Sequence, residues 1–436
     1  MIEWKQVGQG RDGLRVYRIE ASPSRVLSPG KGLDPLGLLL SNFPSKTGAQ
    51  IQERFSEAGS PVGASSLRVA CHVVSLPDLL LVIDSTFSQT AGEVFPATLE
   101  QICRHEDRRL GERPICVVYT HAHFDHAGGR AAVEALGSIE TIAHRHTRDL
   151  FPAVSRPSAM FRSRGHFLRD CGISISIEEM LETFHAMYEE LLSGARPNGD
   201  LSFFRTDDES PLRVDECVEL SPLEELEIAA GRVRLIHIPG HIPGHLCVLV
   251  DGEHFITGDM WLPATTSTVT SGHAAQAAGV SPSLTGVVTY VESDEWLLGG
   301  DLDHCFSYPS HEQIFRNPKR MAVRDLELLA NRLDLVYGVL GEHRDAPMRV
   351  LDLAWGGSGG LPIWKVARSK YRLFMAHEEA TSFVEDLLRL GDLTEVEPER
   401  YLWTGQRDLL QRVRTSLGTA RHDHGHLEFH SRGRDG

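Results

Sequence analysis

Four potential metal ligands fall within six consecutive residues of the sequence, in the segment THAHFDHAGG (120–129). The apolar run ICVVY (115–119) directly before this segment is typical of a buried strand. Because the end of a strand is rigid, the turn that follows can aim alternate side chains at one point. Two imidazoles at positions i and i+2 can hold one cation, and an adjacent carboxylate and imidazole can serve a second. The sequence therefore predicts a metal centre that includes His121, His123, Asp125 and His126.

Further acidic and histidine side chains follow strand-like runs elsewhere in the chain. They are Asp84 in LLLVIDST, His241 in IHIPGHIPGH, Asp259 in FITGDMW and His343 in VYGVLGEHRD. Together with the HxHxDH pattern, these residues make the chain similar to the metallo-β-lactamase-fold superfamily. The resemblance covers roughly residues 1–350. Its motifs are specific for the fold and the metal site, whereas they carry little information on the substrate.

The resemblance implies an α/β fold, an αββα sandwich of two mixed sheets with the site along one edge. It also implies ligands for two metal ions. The first ion would be held by His121, His123 and His241. The second would be held by Asp125, His126 and His343, with Asp259 bridging the two ions. By the same resemblance, Asp84 supports the metal loop.

The predicted ligands are nitrogen and oxygen donors without a thiolate. Such a set suits two Zn²⁺ ions, and it suits Fe or Mn equally. Two cations that share a water lower its pKa and hold a hydroxide next to an electrophile, and the Asp125 carboxylate can orient that hydroxide or move its proton. We therefore expect a metal-dependent hydrolase that cleaves an ester, lactone, thioester or related bond. The alternative is an iron-dependent oxidoreductase or oxygenase on the same fold, which the ligand types do not exclude.

Other histidines have different expected roles. His245 belongs to the PGHxxGH motif, and we expect it to support the site without binding metal. His304 would replace His343 as a ligand if the last strand of the fold lay elsewhere. The His-rich tail over 422–430 is expected to be a solvated, disordered end.

The charge balance argues against several classes of partner. The 436 residues include 44 Lys and Arg against 60 Asp and Glu, a net charge of −16. An acidic chain repels phosphate backbones and anionic lipids, so we expect no nucleic acid, no membrane and no nuclease activity. We expect a small-molecule substrate, and a homo-oligomer is compatible with the sequence. A non-enzymatic binding role is a further alternative.

The predicted location is cytoplasmic. Seven cysteines are scattered without a CxxC pair, which is a poor disulfide framework and fits a reducing compartment. The first residues show no signal-peptide pattern, and no apolar run approaches the 18 or more residues of a membrane span.

We expect a catalytic domain over residues 1–355 and a small C-terminal extension over 361–436. The extension is predicted to be helical or winged-helix-like. Two insertions, at about 145–210 and 262–310, leave strand ends near the predicted site and are candidates for a cap over it. Their aromatic side chains either shape an apolar pocket or pack the insertions.

Local patterns predict the elements within and after these insertions. An apolar stripe over 177–192 predicts a helix that either lines a pocket or packs in the core. Residues 262–300 are rich in Thr, Ser, Ala and Gly, and we expect mainly loops there. A helix over 318–333 is then expected to lead into a last strand over 335–341, directly before His343.

Overall fold

A computed structural model describes residues 2–21, 69–86, 89–154, 212–263, 267, 269–270, 272–277, 279–355 and 370–424. The predicted helix over 177–192, most of the first insertion and the tail from 425 onward lie outside the described residues. Among the helices that are described, none combines the length and the apolar character needed to cross a bilayer.

The first of two large sheets has its strands in chain order. They are β1 (Ile2–Gln9), β2 (Arg15–Ala21), β3 (Val69–Ser75), β4 (Leu80–Ile83), β5 (Ile115–Tyr119), β6 (Glu140–His144) and β7 (Glu216–Val218). Strands β1 to β4 pair antiparallel, and β4 to β7 pair parallel. Because parallel strands end at the same edge of a sheet, the loops that follow β4, β5 and β6 lie side by side.

The second sheet has the strand order β13-β12-β11-β10-β9-β8. Its strands are β8 (Glu225–Ile228), β9 (Val233–His237), β10 (Leu246–Val250), β11 (His254–Gly258), β12 (Phe306–Pro309) and β13 (Phe315–Arg316). Only β11 and β12 pair parallel among these strands. The turn between β10 and β11 contains Asp251 and Gly252, both with positive φ, as the hairpin signal in the sequence predicts.

The helices cover the outer faces of both sheets. They are α1 (Gln89–His105), α2 (Phe124–Ala127), α3 (Arg130–Glu134), α4 (Arg145–Val154), α5 (Gly272–Ala277), α6 (Gly286–Gly299), α7 (Lys319–Glu342), α8 (Val350–Trp355), α9 (Lys370–Leu390) and α10 (Asp408–His424).

Successive side chains of a strand point to opposite faces of its sheet, and the buried apolar side chains therefore form three separate cores. In β2, the side chain of Val16 lies between the two sheets, whereas Tyr17 faces the outer helical layer that contains α1. The core between the sheets joins Val74 and Val118 of the first sheet with Leu235 and Val248 of the second. A third core lies on the outer face of the second sheet, against α6 and α7. The layers therefore follow the predicted αββα order.

The prediction of a last strand over 335–341 is wrong. These residues continue α7, which runs without a break from Lys319 to Glu342. The buried side chains recur at helical spacing, and the list includes Leu326, Leu329, Leu333, Val336, Tyr337 and Leu340. The apolar run LVYGVLG is equally compatible with a helix and a strand. Its residues form a helix because the apolar face of α7 is buried in the core on the outer face of the second sheet.

The expectation of a loop-dominated segment over 262–300 is wrong for its second half. Helix α6 occupies Gly286–Gly299 and buries Val287, Val291 and Leu297. Two aromatic residues, Tyr290 in the second insertion and Trp261 directly before it, are buried in the same core. Their side chains therefore pack the second insertion.

The described part of the C-terminal extension contains α9, a hairpin of β14 (Leu393–Glu397) and β15 (Arg400–Trp403), and α10. Phe383 and Leu387 of α9 and Leu409 and Val413 of α10 are buried in the core that also contains α6 and α7. The extension is thus part of the helical layer over the second sheet.

Two buried histidines join the sheets beside the edge where the parallel strands end. The rings of His144, at the end of β6, and His237, at the end of β9, are stacked with centroids 4.1 Å apart. His144 Nε2 and His237 Nδ1 lie 3.0 and 2.9 Å from the carbonyl oxygen of Leu220, to which both can donate. Burial lowers the pKa of His144 to about 4 and that of His237 to about 3.

This pair should make the folded protein sensitive to acid. Imidazoles of the unfolded chain take up protons below about pH 6.5, whereas the buried pair resists protonation until about pH 4. The free energy of unfolding should therefore fall as the pH drops through that window, by about 1.4 kcal/mol per pH unit for each imidazole. Urea unfolding at pH 7.5 to 4.5 should show a smaller slope for His144→Gln than for wild type. The exposed His422→Gln is the control, and equal slopes for all three proteins would contradict the prediction.

Candidate metal centre

Strand ends from both sheets converge at one edge of the sandwich. Strand β5 leads to His121 and His123, and the short helix α2 that follows carries Asp125 and His126. In the second sheet, His241 follows β9, Asp259 follows β11 and His311 follows β12. Because β11 and β12 are parallel, their carboxyl ends are neighbours, which brings the last two side chains together.

The first group of possible ligands consists of His121, His123, His241 and Asp259. Nδ1 of His123 lies 2.9 Å from Nε2 of His121 and 3.0 Å from Nε2 of His241. Oδ2 of Asp259 lies 3.8 and 3.7 Å from those two Nε2 atoms. Three imidazole nitrogens and one carboxylate oxygen thus face a common point.

The second group consists of Asp125, His126 and His311. Nε2 of His126 lies 3.8 Å from Oδ1 of Asp125, and Nε2 of His311 lies 3.4 Å from Oδ2 of the same carboxylate. Oδ1 of Asp259 lies 3.3 Å from Nε2 of His126 and 3.5 Å from Nε2 of His311. Asp259 therefore turns one oxygen to each group.

The structure corrects the predicted set at one position. It does not bring His343 to the cluster, because this residue is the exposed C-cap of α7, which continues where a strand was expected. His304 does not take its place, since its Nε2 lies 2.9 Å from the carbonyl oxygen of Gly252 at a distant turn. His311 completes the second group. Its signal in the sequence is weak: it follows FSYP, a strand of four residues.

Asp84 supports the metal loop from the end of β4. Its Oδ1 accepts a hydrogen bond from the backbone N–H of Thr120 at 2.7 Å. Its Oδ2 lies 2.8 Å from Nδ1 of His126, and Oγ1 of Thr120 lies 3.0 Å from Nδ1 of His121. If both rings carry their proton on Nδ1 and donate to these oxygens, each Nε2 keeps its lone pair for the cluster. The role that the sequence predicts for Asp84 matches these contacts.

The neighbouring segments hold His241 and Asp259 in place. Oγ of Ser267 lies 2.9 Å from Nδ1 of His241, and Thr270 donates to the His241 carbonyl oxygen through its N–H and Oγ1. The N–H of Asp259 donates to Nε2 of His245 at 3.2 Å, so His245 faces the backbone at the site, as expected for a supporting residue. Gly258 has φ +55, and a Cβ there would lie 2.5 Å from Nε2 of His245.

The C-terminal extension contacts the segment that bears Ser267. Oε2 of Glu385 in α9 accepts from the N–H of Gly272 at the start of α5, at 2.5 Å. Oδ2 of Asp386 accepts from the N–H of Val288 at the start of α6, at 3.1 Å. Two carboxylates at helix N-termini satisfy otherwise unpaired N–H groups and complement the helix dipoles. Helix α9 therefore holds the starts of both α5 and α6.

The histidines of the two groups have pKa values that are shifted in opposite directions. Burial, reinforced by neighbouring imidazoles, lowers the pKa of His121 far below its usual range and that of His123 to about 3. Burial also disfavours a charge on His126, but the carboxylates of Asp259, Asp125 and Asp84 outweigh it and raise its pKa to about 10. The same balance raises the pKa of His311 well above the usual value. His121 and His123 of the first group thus stay neutral, whereas the second group balances its carboxylates with protons or a cation.

The donor geometry fits metal ions. Ligand atoms about 2.0–2.1 Å from a tetrahedral Zn²⁺ lie about 3.3 Å apart, close to the separations in both groups. Nε2 of His126 and Oδ1 of Asp259 are buried and lie 3.3 Å apart, but they form no well-aligned hydrogen bond with each other or with another described residue. Buried polar atoms without a partner are costly, and a cation between them would satisfy both.

Comparison with known proteins identifies the family. The family model described as "Metallo-beta-lactamase superfamily" matches residues 67–336, more than half of the chain. A beta-lactamase domain protein from Burkholderia ambifaria has a similar structure, with a TM-score of 0.51, 19% sequence identity, and coverage of 79% of this chain and 90% of that chain. A metallo-beta-lactamase family protein from Thermus thermophilus gives a TM-score of 0.48 at 19% identity, covering 79% of this chain and 96% of that chain.

No curated protein sequence matches the chain. The Burkholderia structure agrees with the fold described above, and the family model covers all the residues of the two ligand groups. His343 lies beyond its last matched residue. The chain belongs to the metallo-beta-lactamase superfamily.

Proposed function

We propose that this protein is a dinuclear metal-dependent hydrolase that acts on a small molecule. The observation that carries the proposal is the carboxylate of Asp259, whose Oδ2 faces the first group of ligands and whose Oδ1 faces the second. A carboxylate so placed can bridge two cations. In this proposal His121, His123 and His241 hold one ion, and Asp125, His126 and His311 hold the other.

We propose Zn²⁺ as the metal, because the first group offers three imidazole nitrogens and one carboxylate oxygen at separations close to those around a tetrahedral zinc ion. Iron or manganese in the same ligands is the competing occupancy. Bound cations of this kind polarise a carbonyl oxygen and lower the pKa of water, which is the chemistry that hydrolysis of an ester, lactone or thioester requires.

The chain itself contributes orientation and a proton acceptor. Burial opposes ionisation of Asp125, yet His126 and His311 outweigh it and lower its pKa to about 2. This carboxylate therefore stays ionised at neutral pH, so that it could orient the attacking water and transiently take up its proton. Asp84 and Ser267 hold the rings of His126 and His241, so the donors are oriented before substrate binds.

Metal content tests the assignment of His311. Purified wild type should contain about two metal ions per chain, and His311→Ala should retain about one, because one ligand of the second group is lost. His343→Ala removes an exposed histidine and should retain both ions. Elemental analysis of all three proteins, grown with equal zinc and iron, provides the measurement. Loss of metal from His343→Ala with full content in His311→Ala would reverse the assignment.

Activity tests the reaction class. The zinc-loaded protein should hydrolyse members of a panel of aryl esters, lactones and thioesters. Asp259→Ala should lower kcat/KM at least ~100-fold, since both ligand groups lose a donor. His343→Ala is the matched control and should keep the wild-type rate. Predominant iron, with a diiron absorbance band and no hydrolysis of any panel member, would contradict the proposal and favour an oxidoreductase on the same fold.

A further inference from the structure

The loop that carries His311 is held by an arginine from the other sheet. Arg18, in β2, reaches between the sheets and donates from Nη1 to the carbonyl oxygen of Pro309 at 2.9 Å. Its Nη2 donates to the carbonyl oxygen of Glu312 at 2.7 Å. The two acceptors lie on either side of His311 in the chain. One planar guanidinium thus fixes the backbone on both flanks of a proposed ligand.

Arg18 is itself held firmly. It is only 4% exposed, and its Nε donates to Oε1 of Glu20, two residues along the same strand, at 3.0 Å. Burial lowers the pKa of Arg18, but a guanidinium remains charged in proteins and keeps all of its donors. A buried charge needs partners, and here two of them are the carbonyl groups of the His311 loop.

Two backbone hydrogen bonds also hold the loop directly before His311. The N–H of Ala70 donates to the carbonyl oxygen of Ser310 at 2.6 Å, and the N–H of Ser310 donates to that of Gly258 at 2.8 Å. Both bonds involve the residue before His311. On the other side, Glu312 has φ +67, a conformation that non-glycine residues adopt only when held. The hydrogen bond from Nη2 of Arg18 is accepted by the carbonyl oxygen of Glu312, so Arg18 holds the residue that has this unusual conformation.

We propose that Arg18 is a positioning residue for His311, so that the second metal ion depends on the N-terminal hairpin of β1 and β2. This inference rests on the proposed function, because it assumes that His311 binds metal. The hairpin precedes the segment that the family model matches, which starts at residue 67. The first group has no contact of this kind with Arg18 among the described residues, so its affinity for metal should not depend on this residue.

Stepwise metal binding to the apoprotein tests the proposal. Zn²⁺ affinities are measured by competition with a chromophoric chelator, and Co²⁺ spectra report the ligand geometry at each step. Residues that orient metal ligands typically change affinity ~10- to 100-fold when altered. Arg18→Met should weaken the second binding step by a factor in that range and leave the first step unchanged. Arg18→Lys keeps the charge but cannot reach both carbonyl groups, so it should restore only part of the loss.

Two further variants separate positioning from general destabilisation. Lys5→Met removes another cation that contacts Glu20, at 3.5 Å in the same hairpin, and should leave both steps unchanged. In a His311→Ala background the remaining step belongs to the first group, so adding Arg18→Met should not alter it. If Arg18→Met does not fold, Glu20→Gln decides, because it loosens Arg18 and should weaken the second step alone.

The outcomes are distinguishable. Two unchanged binding steps in a folded Arg18 variant would overturn the proposal, and so would an equal loss at both steps. A wild-type protein that binds no metal, or only one ion, would instead refute the dinuclear site on which the inference rests.

Discussion

The arrangement of the site depends on the carboxylate of Asp259, which contacts both groups of histidines. It follows β11, whose neighbours are β10 and the parallel strand β12, and it faces histidines from both sheets. A buried carboxylate among imidazoles needs positive charge nearby. In the apoprotein, a raised pKa of His126 and His311 supplies protons for this purpose. A cation in the second group would take over their role, so metal binding there is coupled to proton release.

Much of the fold and the first ligand group could be predicted from the sequence. The reason is local: ICVVY is a buried strand, and four of the proposed ligands fall within the six residues 121–126 that soon follow it. His241 and Asp259 follow β9 and β11, whose apolar runs are bounded by clear turn signals. Where strand, turn and ligand are contiguous in the chain, their geometry depends little on distant contacts.

The last proposed ligand, His311, could not be predicted, because its position depends on contacts between distant parts of the chain. The segment before His343 is apolar enough for a strand, but its burial depends on contacts of α7 in a core shared with the C-terminal helices. The strand that leads to His311 has four residues, and its first, Phe306, is 38% exposed. Its place in the sheet comes from parallel pairing with β11, a contact across about 50 residues that no local pattern encodes.

Segments on either side of the two groups of proposed ligands therefore contribute to the candidate site. At the N-terminal end, Arg18 holds the loop of His311. At the C-terminal end, Glu385 and Asp386 hold the starts of α5 and α6, beside the segment whose Ser267 faces His241. Each contact fixes backbone and leaves the ligand free to bind. These contacts hold the backbone and do not touch the proposed metal ions. The HxHxDH pattern therefore does not predict them, and they are found only in the folded structure, where distant parts of the chain pack together.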